Sequence, residues 1–260
     1  MGYFNCIDVS EWNGDINWRA AKADGVEYAL IRCGFGKTGV DKYFEINMEG
    51  ALEAGVKVGV YFYAYATDYD SAVTEAKHAL DLIEPYRDKL SLPVFYDVEE
   101  EKCKPRIVDV CNAFINTLNY YGYYCGVYTM GAWYSAYFAN IDCDYIWLAY
   151  WGKDDGEPHN KPDYCDIWQY TSKGSVDGVG SGGVDCDIVY NESMKVLVNN
   201  GGDDQDDSSD KDDLNELISS LYKIRQSVSD TQQIIDTASE ELKATKATLD
   251  NILDRLEEEG

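Results

Sequence analysis

Eight short runs rich in Val, Ile, Tyr, Phe and Trp constrain this chain more than any other feature. They occupy 3–9, 27–33, 56–66, 92–98, 124–129, 146–151, 166–170 and 184–190. β-Branched and aromatic residues suit a pleated, buried surface, so each run predicts a strand. Segments with helical spacing fall between the first five runs, at 18–24, 42–54, 71–86 and 106–121, and a shorter one at 133–138 precedes the sixth. Strand–helix–strand repetition implies parallel strands joined by right-handed crossovers. Eight strands can close a barrel, but Gly-, Asp- and Pro-rich loops join the last three without room for helices. The expected fold class is α/β: an irregular β/α barrel of about eight strands and about five helices, its last strands lacking helices.

The pattern changes after Asn199-Asn200-Gly201-Gly202. Residues 201–211 are dominated by aspartate and read as an acidic flexible linker between a barrel at 1–200 and a helix at 212–260. That last stretch has no Pro, and its only Gly is terminal. Leu214, Leu217, Leu221, Ile224, Val228, Thr231, Ile235, Ala238, Leu242, Thr245, Leu249, Ile252 and Leu256 follow a strict 3-4 step. A 3.5-residue repeat suits a coiled-coil seam better than a globular face, so a homo-oligomer, dimer or trimer, is expected through 214–256. A single amphipathic helix lying along the barrel is the plainer alternative.

Net charge is −26, of which the 17 acids and 6 bases of 203–260 supply −11. Such a chain repels polyanions, which excludes nucleic acid as a partner. No apolar run approaches a membrane span, and Asp8 and Glu11 interrupt the place where a signal peptide needs an apolar stretch. The eight cysteines contain no C-x-x-C pair and several sit within apolar runs, so mostly free, buried thiols are expected. Gly178-Val179-Gly180-Ser181-Gly182-Gly183 satisfies G-x-G-x-x-G, but no helix follows it, and a hairpin is the better reading. With only two histidines, neither a serine triad nor a histidine-based zinc site is expected, and no cofactor or metal is assigned.

The chemistry points to Asp97 and Glu99. In a strand, residues two apart share a face, which sets these carboxylates side by side at the end of the fourth strand. Active sites of β/α barrels lie at that edge. Close carboxylates cannot both ionise easily, so one stays protonated near neutral pH. Glycosidic cleavage needs that division: an acid protonates the leaving oxygen while an anion steadies the oxocarbenium-like centre. Asp8 ends the first strand and Asp185 begins the last. Asp185 reaches the same rim only if the final strand runs antiparallel to the others.

Ile7-Asp8-Val9-Ser10 with Trp12 and Gly14, Ile31-Arg32 before Gly34 and Gly36, and Gly59-Val60-Tyr61-Phe62-Tyr63-Ala64 form an ordered series. With Asp97-Val98-Glu99, Ile167-Trp168-Gln169-Tyr170-Thr171-Ser172 and Val184-Asp185, the series resembles glycoside hydrolase family 25 over about residues 1–195. These are the Chalaropsis-type lysozymes, N-acetylmuramidases. The resemblance implies a flattened barrel with an antiparallel end, and hydrolysis with retention of the β-1,4 bond between N-acetylmuramic acid and N-acetylglucosamine. It implies that Glu99 is the general acid/base, that Asp97 is the second central carboxylate, acting either as direct nucleophile or as stabiliser of an acetamido-derived intermediate, and that Asp8 and Asp185 are the outer acids. It also implies action on the bacterial cell wall, either outside the cell or after release from a host cytoplasm as a phage lysin. The coiled tail departs from the wall-binding repeats many relatives carry.

Sugar faces stack on flat rings, and hydroxyls meet phenols and amides. Tyr61, Tyr63 and Tyr65 share one strand face, and Tyr128, Tyr150 and Gln169 lie near other strand ends; these six are the expected substrate-binding residues. Trp147 and Trp168 read as packing. A non-catalytic peptidoglycan-binding protein, or a structural phage or surface protein multimerised by its coil, is the alternative to the enzyme.

Overall fold

The computed structural model describes residues 4–138 and 140–197, with isolated helical positions between 224 and 248. The chain separates into two compact units, Met1–Gly201 and Gly202–Gly260. The strands of the first unit are β1 (Phe4–Val9), β2 (Tyr28–Phe35), β3 (Gly39–Val40), β4 (Lys57–Tyr63), β5 (Leu90–Asp97), β6 (Cys125–Met130), β7 (Ile146–Ala149), β8 (Ile167–Gly174) and β9 (Val184–Val189). Five α-helices alternate with them: α1 (Trp18–Ala23), α2 (Phe44–Glu53), α3 (Tyr69–Ile83), α4 (Ile107–Tyr120) and α5 (Gly131–Tyr137).

The sheet runs β1-β9-β8-β7-β6-β5-β4-β2-β3, and a β1–β2 pairing closes eight of these strands into a barrel. Seven are mutually parallel, while β9 is antiparallel to both neighbours, β1 and β8. No helix lies between β7 and β8 or between β8 and β9. A chain that leaves β8 without a crossover helix can turn straight back, which is why β9 reverses. β3 is a hairpin partner of β2 outside the ring; two residues leave no periodic signal.

Period-two alternation sorts the side chains. Outward residues such as Ile7, Val9, Ile31, Val60 and Phe62 meet the helices in one large core. Inward residues, among them Leu30, Leu92, Phe95, Trp147, Ile167 and Val189, fill the barrel itself. Gly126 marks how tight that filling is: a Cβ there would lie 2.5 Å from the Phe95 ring. Helix α3 begins at Asp68, whose carboxylate accepts from the Ser71 amide at 2.8 Å in a reciprocal capping box,. Its small inward residues Ala72, Ala76 and Ala79 let the helix approach the strands closely. All eight cysteines are free, six of them buried.

The expected linker and most of the expected coil lie outside the described residues. Seven of the thirteen seam positions are described: Ile224, Val228, Thr231, Ile235, Ala238, Leu242 and Thr245. Each is helical and exposed. None of the described helices is long and apolar enough to cross a membrane.

Candidate active site

At the carboxyl ends of the parallel strands the inward residues stop filling the barrel and line a cleft of about 490 Å³. Asp8 from β1, Arg32 from β2, Tyr61 from β4, Asp97 from β5, Tyr128 from β6 and Gln169 from β8 all contribute to it. Glu99 stands two residues beyond Asp97 on the same face. The reversal of β9 sets its first inward residue, Asp185, directly opposite Asp8 in register. The four acids picked out in the sequence thus meet in one cleft, although they come from three strands and the turn after β5.

The acids differ in environment. Asp97 is 4% exposed, and its Oδ1 has no hydrogen-bond donor among the described residues. Burial pushes its carboxyl well above the ordinary range and Glu99 adds to this, while the Arg32 guanidinium opposes it. Glu99 is half-buried. Burial first, then the charge of Asp185, raise its carboxyl, and the Tyr63 hydroxyl partly offsets them. Burial and then Asp154 push Asp185 up to about 6. Asp8 is raised well above its usual value by burial, Asp185 and Asp187, against a hydrogen bond from Gln169. Carboxylates crowded into a low-dielectric cleft oppose one another's ionisation, so all four carboxyls sit above their ordinary range,.

A chain of hydrogen bonds orients the floor. Tyr128 Oη and Trp151 Nε1 both donate to Gln169 Oε1 at 2.9 Å. Gln169 Nε2 in turn donates to Asp8 Oδ2 at 2.7 Å. On the other wall, Arg32 Nε donates to Asp41 Oδ2 at 2.8 Å and Nη2 to Glu11 Oε1 at 3.0 Å. Tyr63 Oη donates to Glu100 at 3.2 Å. Glu75, buried on α3, accepts from the Tyr65 amide at 3.0 Å and from Tyr96 Oη at 2.6 Å, which fixes the rim after β4.

Tyr61, Tyr63, Tyr65, Tyr128 and Gln169 line the cleft, but Tyr150 does not. Ala149, the last residue of β7, faces inward opposite Gln169. Alternation therefore sends Tyr150 to the outer side, where its ring lies against Gly131. Trp147 packs against Tyr61, Phe95 and Tyr128 as expected, yet it also lines the cleft and donates to Asp187 at 2.7 Å. Trp168 is turned outward and donates to the Tyr150 carbonyl. Trp12, 83% exposed, and Phe35 and Trp151 add aromatic surface not anticipated from spacing. For Trp12 and Arg32 a signal existed, since both stand inside the motif blocks; Phe35 and Trp151 had none beyond residue type. Among the described residues, no group of three His, Cys, Asp or Glu side chains is arranged to hold a metal ion.

Comparison with known proteins agrees with this geometry. The family model described as glycosyl hydrolases family 25 matches residues 7–179, which takes in Asp8, Asp97, Glu99 and Gln169 and stops short of Asp185. The chain is 28% identical over 208 residues to lysozyme M1 of Streptomyces globisporus, covering 74% of this chain and 69% of that one. It is 28% identical over 204 residues to the autolytic lysozyme of Clostridium acetobutylicum, covering 76% of this chain and 61% of the relative. Among solved structures, the catalytic domain of an endolysin from a Listeria monocytogenes bacteriophage superimposes with a TM-score of 0.65 at 27% identity. That match covers 72% of this chain and 92% of the domain. A barrel closed by one reversed strand, carboxylates gathered at its rim and a family match over most of the first unit lead to one conclusion: the chain belongs to glycosyl hydrolases family 25 and is a glycoside hydrolase of the lysozyme type.

Proposed function

We propose that this chain hydrolyses the β-1,4 bond between N-acetylmuramic acid and N-acetylglucosamine in bacterial peptidoglycan, with net retention at the anomeric carbon. The convergence of Asp8, Asp97, Glu99 and Asp185 on one cleft carries the reading. Glu99, reachable from solvent and biased toward its protonated form by burial and by Asp185, gives its proton to the leaving oxygen as the C1–O bond breaks,. Asp97 lies deeper, with a buried oxygen short of a donor. The amide N–H of the muramic acid 2-acetamido group supplies that donor. So held, the acetamido oxygen closes on C1 from the face opposite the leaving group. Glu99, now a carboxylate, takes a proton from water as that water opens the ring so formed, and two inversions leave the β configuration. Arg32 favours the anionic form of Asp97 through this sequence. Tyr61, Tyr63, Tyr65, Tyr128 and Gln169 bind the glycan, and the exposed Trp12 offers a stacking surface at the rim.

Digestion of purified walls, followed by proton NMR of the first-formed product, tests this. A muramic acid reducing end in the β configuration is expected. A glucosamine reducing end, an anhydro sugar, or an α product contradicts it.

For the second unit, the reading is a linker at 201–211 and a helix at 212–260 that self-associates through 214–256 as a dimer or trimer. Ile224, Val228, Ile235 and Leu242 are each more than half exposed in the single chain, an apolar stripe of the kind a second copy covers,. Sedimentation at micromolar concentration is expected to give a dimer or trimer; a monomer would count against it. Several joined catalytic heads would gain avidity for a polymeric wall without a separate binding domain.

A further inference from the structure

One buried acid lies outside the cleft and takes no part in the chemistry above. Helix α3 turns Ala72, Ala76, Ala79, Leu80 and Ile83 toward the core, and Glu75, 1% exposed, stands in the same buried face. Burial pushes its carboxyl up to about 7, so holding an anion there costs free energy,. An apolar side chain of similar size would pack in that place without the cost. What it could not do is accept hydrogen bonds.

Glu75 accepts two, and both lead to the cleft. Its Oε2 takes the Tyr96 hydroxyl at 2.6 Å, and its Oε1 the Tyr65 amide at 3.0 Å. Tyr96 precedes Asp97 on β5, and its ring stacks on Phe114 of α4 with centroids 3.8 Å apart. That side of the link is therefore fixed by the core. The other side is a turn: β4 ends at Tyr63, so Tyr65 lies beyond the last ladder pair. The Ala64 amide still donates to the Asp97 carbonyl at 2.9 Å. One residue later the chain leaves β5, and Glu75 takes over as acceptor. The Tyr65 ring stands edge-on to Tyr63 and Phe35, with centroids 5.3 and 6.2 Å away, and all three rings line the cleft. A Cβ at Gly36 would lie 3.0 Å from the Tyr65 ring, which marks how closely the wall is packed.

We propose that Glu75 is a positioning residue for glycan binding: from the helix layer it holds the Tyr65 amide, and so fixes the wall of Phe35, Tyr63 and Tyr65 against which a sugar ring packs. This rests on the muramidase reading of the cleft. It adds a residue that acts on the glycan only through Tyr65 and touches none of the reacting atoms.

Glu75→Gln and Glu75→Met, each alone and combined with Tyr65→Ala, test it. Gln keeps an acceptor for the Tyr65 amide and a polar partner for Tyr96, so KM for soluble peptidoglycan fragments should stay within about twofold of wild type. Met keeps the approximate volume and removes both acceptors. KM should then rise roughly 5–10-fold while kcat changes less than about twofold. A merely structural loss would act whatever stands at position 65. Positioning acts through the Tyr65 ring, so in the Tyr65→Ala background Glu75→Met should add less than about twofold to KM. Should Met not fold, Glu75→Asp keeps the charge, draws it back by one methylene, and should give the same KM rise. The Tyr65 amide should also be protected from hydrogen exchange in wild type, whatever the turnover. If wild type cleaves no wall, the muramidase reading fails by itself, and the Kd of the same fragments replaces KM in the comparison. An unprotected Tyr65 amide, a folded Met or Asp variant with wild-type KM, Gln as impaired as Met, or an equal KM rise with and without the Tyr65 ring each overturns the proposal.

Discussion

Replacing Glu99 by Gln is expected to cut the release of reducing ends from purified walls by about 10²–10⁴-fold, with the circular dichroism spectrum unchanged. Gln is close to Glu in shape, and the Tyr63 hydroxyl donates to Glu100 rather than to residue 99, so the fold loses little. Gln has no proton with the acidity to follow the leaving oxygen. Glu99 carries a proton in the free enzyme, so a neutral amide in its place leaves the charge of the cleft unchanged. Substrate binding should therefore hold, and the loss should appear in kcat rather than in KM. A variant within threefold of wild type would remove Glu99 from the chemistry. It would also revive the alternative of a wall-binding protein whose acids are dispensable.

Arg32→Met is expected to produce the largest loss of stability, about 3–5 kcal/mol, because it strips the cation from a buried pair. Asp41 is 2% exposed and keeps only the amides of Glu11 and Tyr43, both at 2.9 Å, once the guanidinium is gone. For a unit of this size the melting temperature should fall by roughly 6–20 °C. The double variant Arg32→Met with Asp41→Asn should regain part of that loss, since the buried charge at position 41 is then gone and Glu11, the other partner of Arg32, is partly open to water,. Activity should fall further than unfolding explains, because Arg32 is the cation that favours ionised Asp97. A single variant that melts within 2 °C of wild type would show that the pair is not the wall's support.

Much of this was legible in the residues, for reasons that differ from place to place. The strands of the ring announced themselves because each is buried on at least one face and so must be apolar and β-branched. The reversal of β9 followed from a missing helix together with the need to bring Asp185 to the rim. Tyr150 falls outside the cleft lining because the inward side chains here are Trp147, Ala149 and Trp151, and a strand end fixes parity only when its last residue is known. Trp147 looked like packing because an indole in an apolar run usually is packing; its N–H bond to Asp187 is a tertiary fact. Asp41 and Glu75 gave no signal at all. Each is a single acid whose role depends on a partner brought near by folding, Arg32 in one case and the Tyr65 amide with Tyr96 in the other.

The central claim is that folding alone leaves a proton on Glu99. Carbon-13 NMR of the Glu99 side-chain carboxyl, followed through a pH titration in the free enzyme, reads that proton directly. Burial and the charge of Asp185 both favour the neutral form, so the midpoint should lie above the ordinary 4.5 of a glutamate. In Asp185→Asn, removal of a like charge should move the midpoint down, and the alkaline limb of kcat/KM should move down with it. A Glu99 midpoint at or below 4.5 in the wild type would contradict the account.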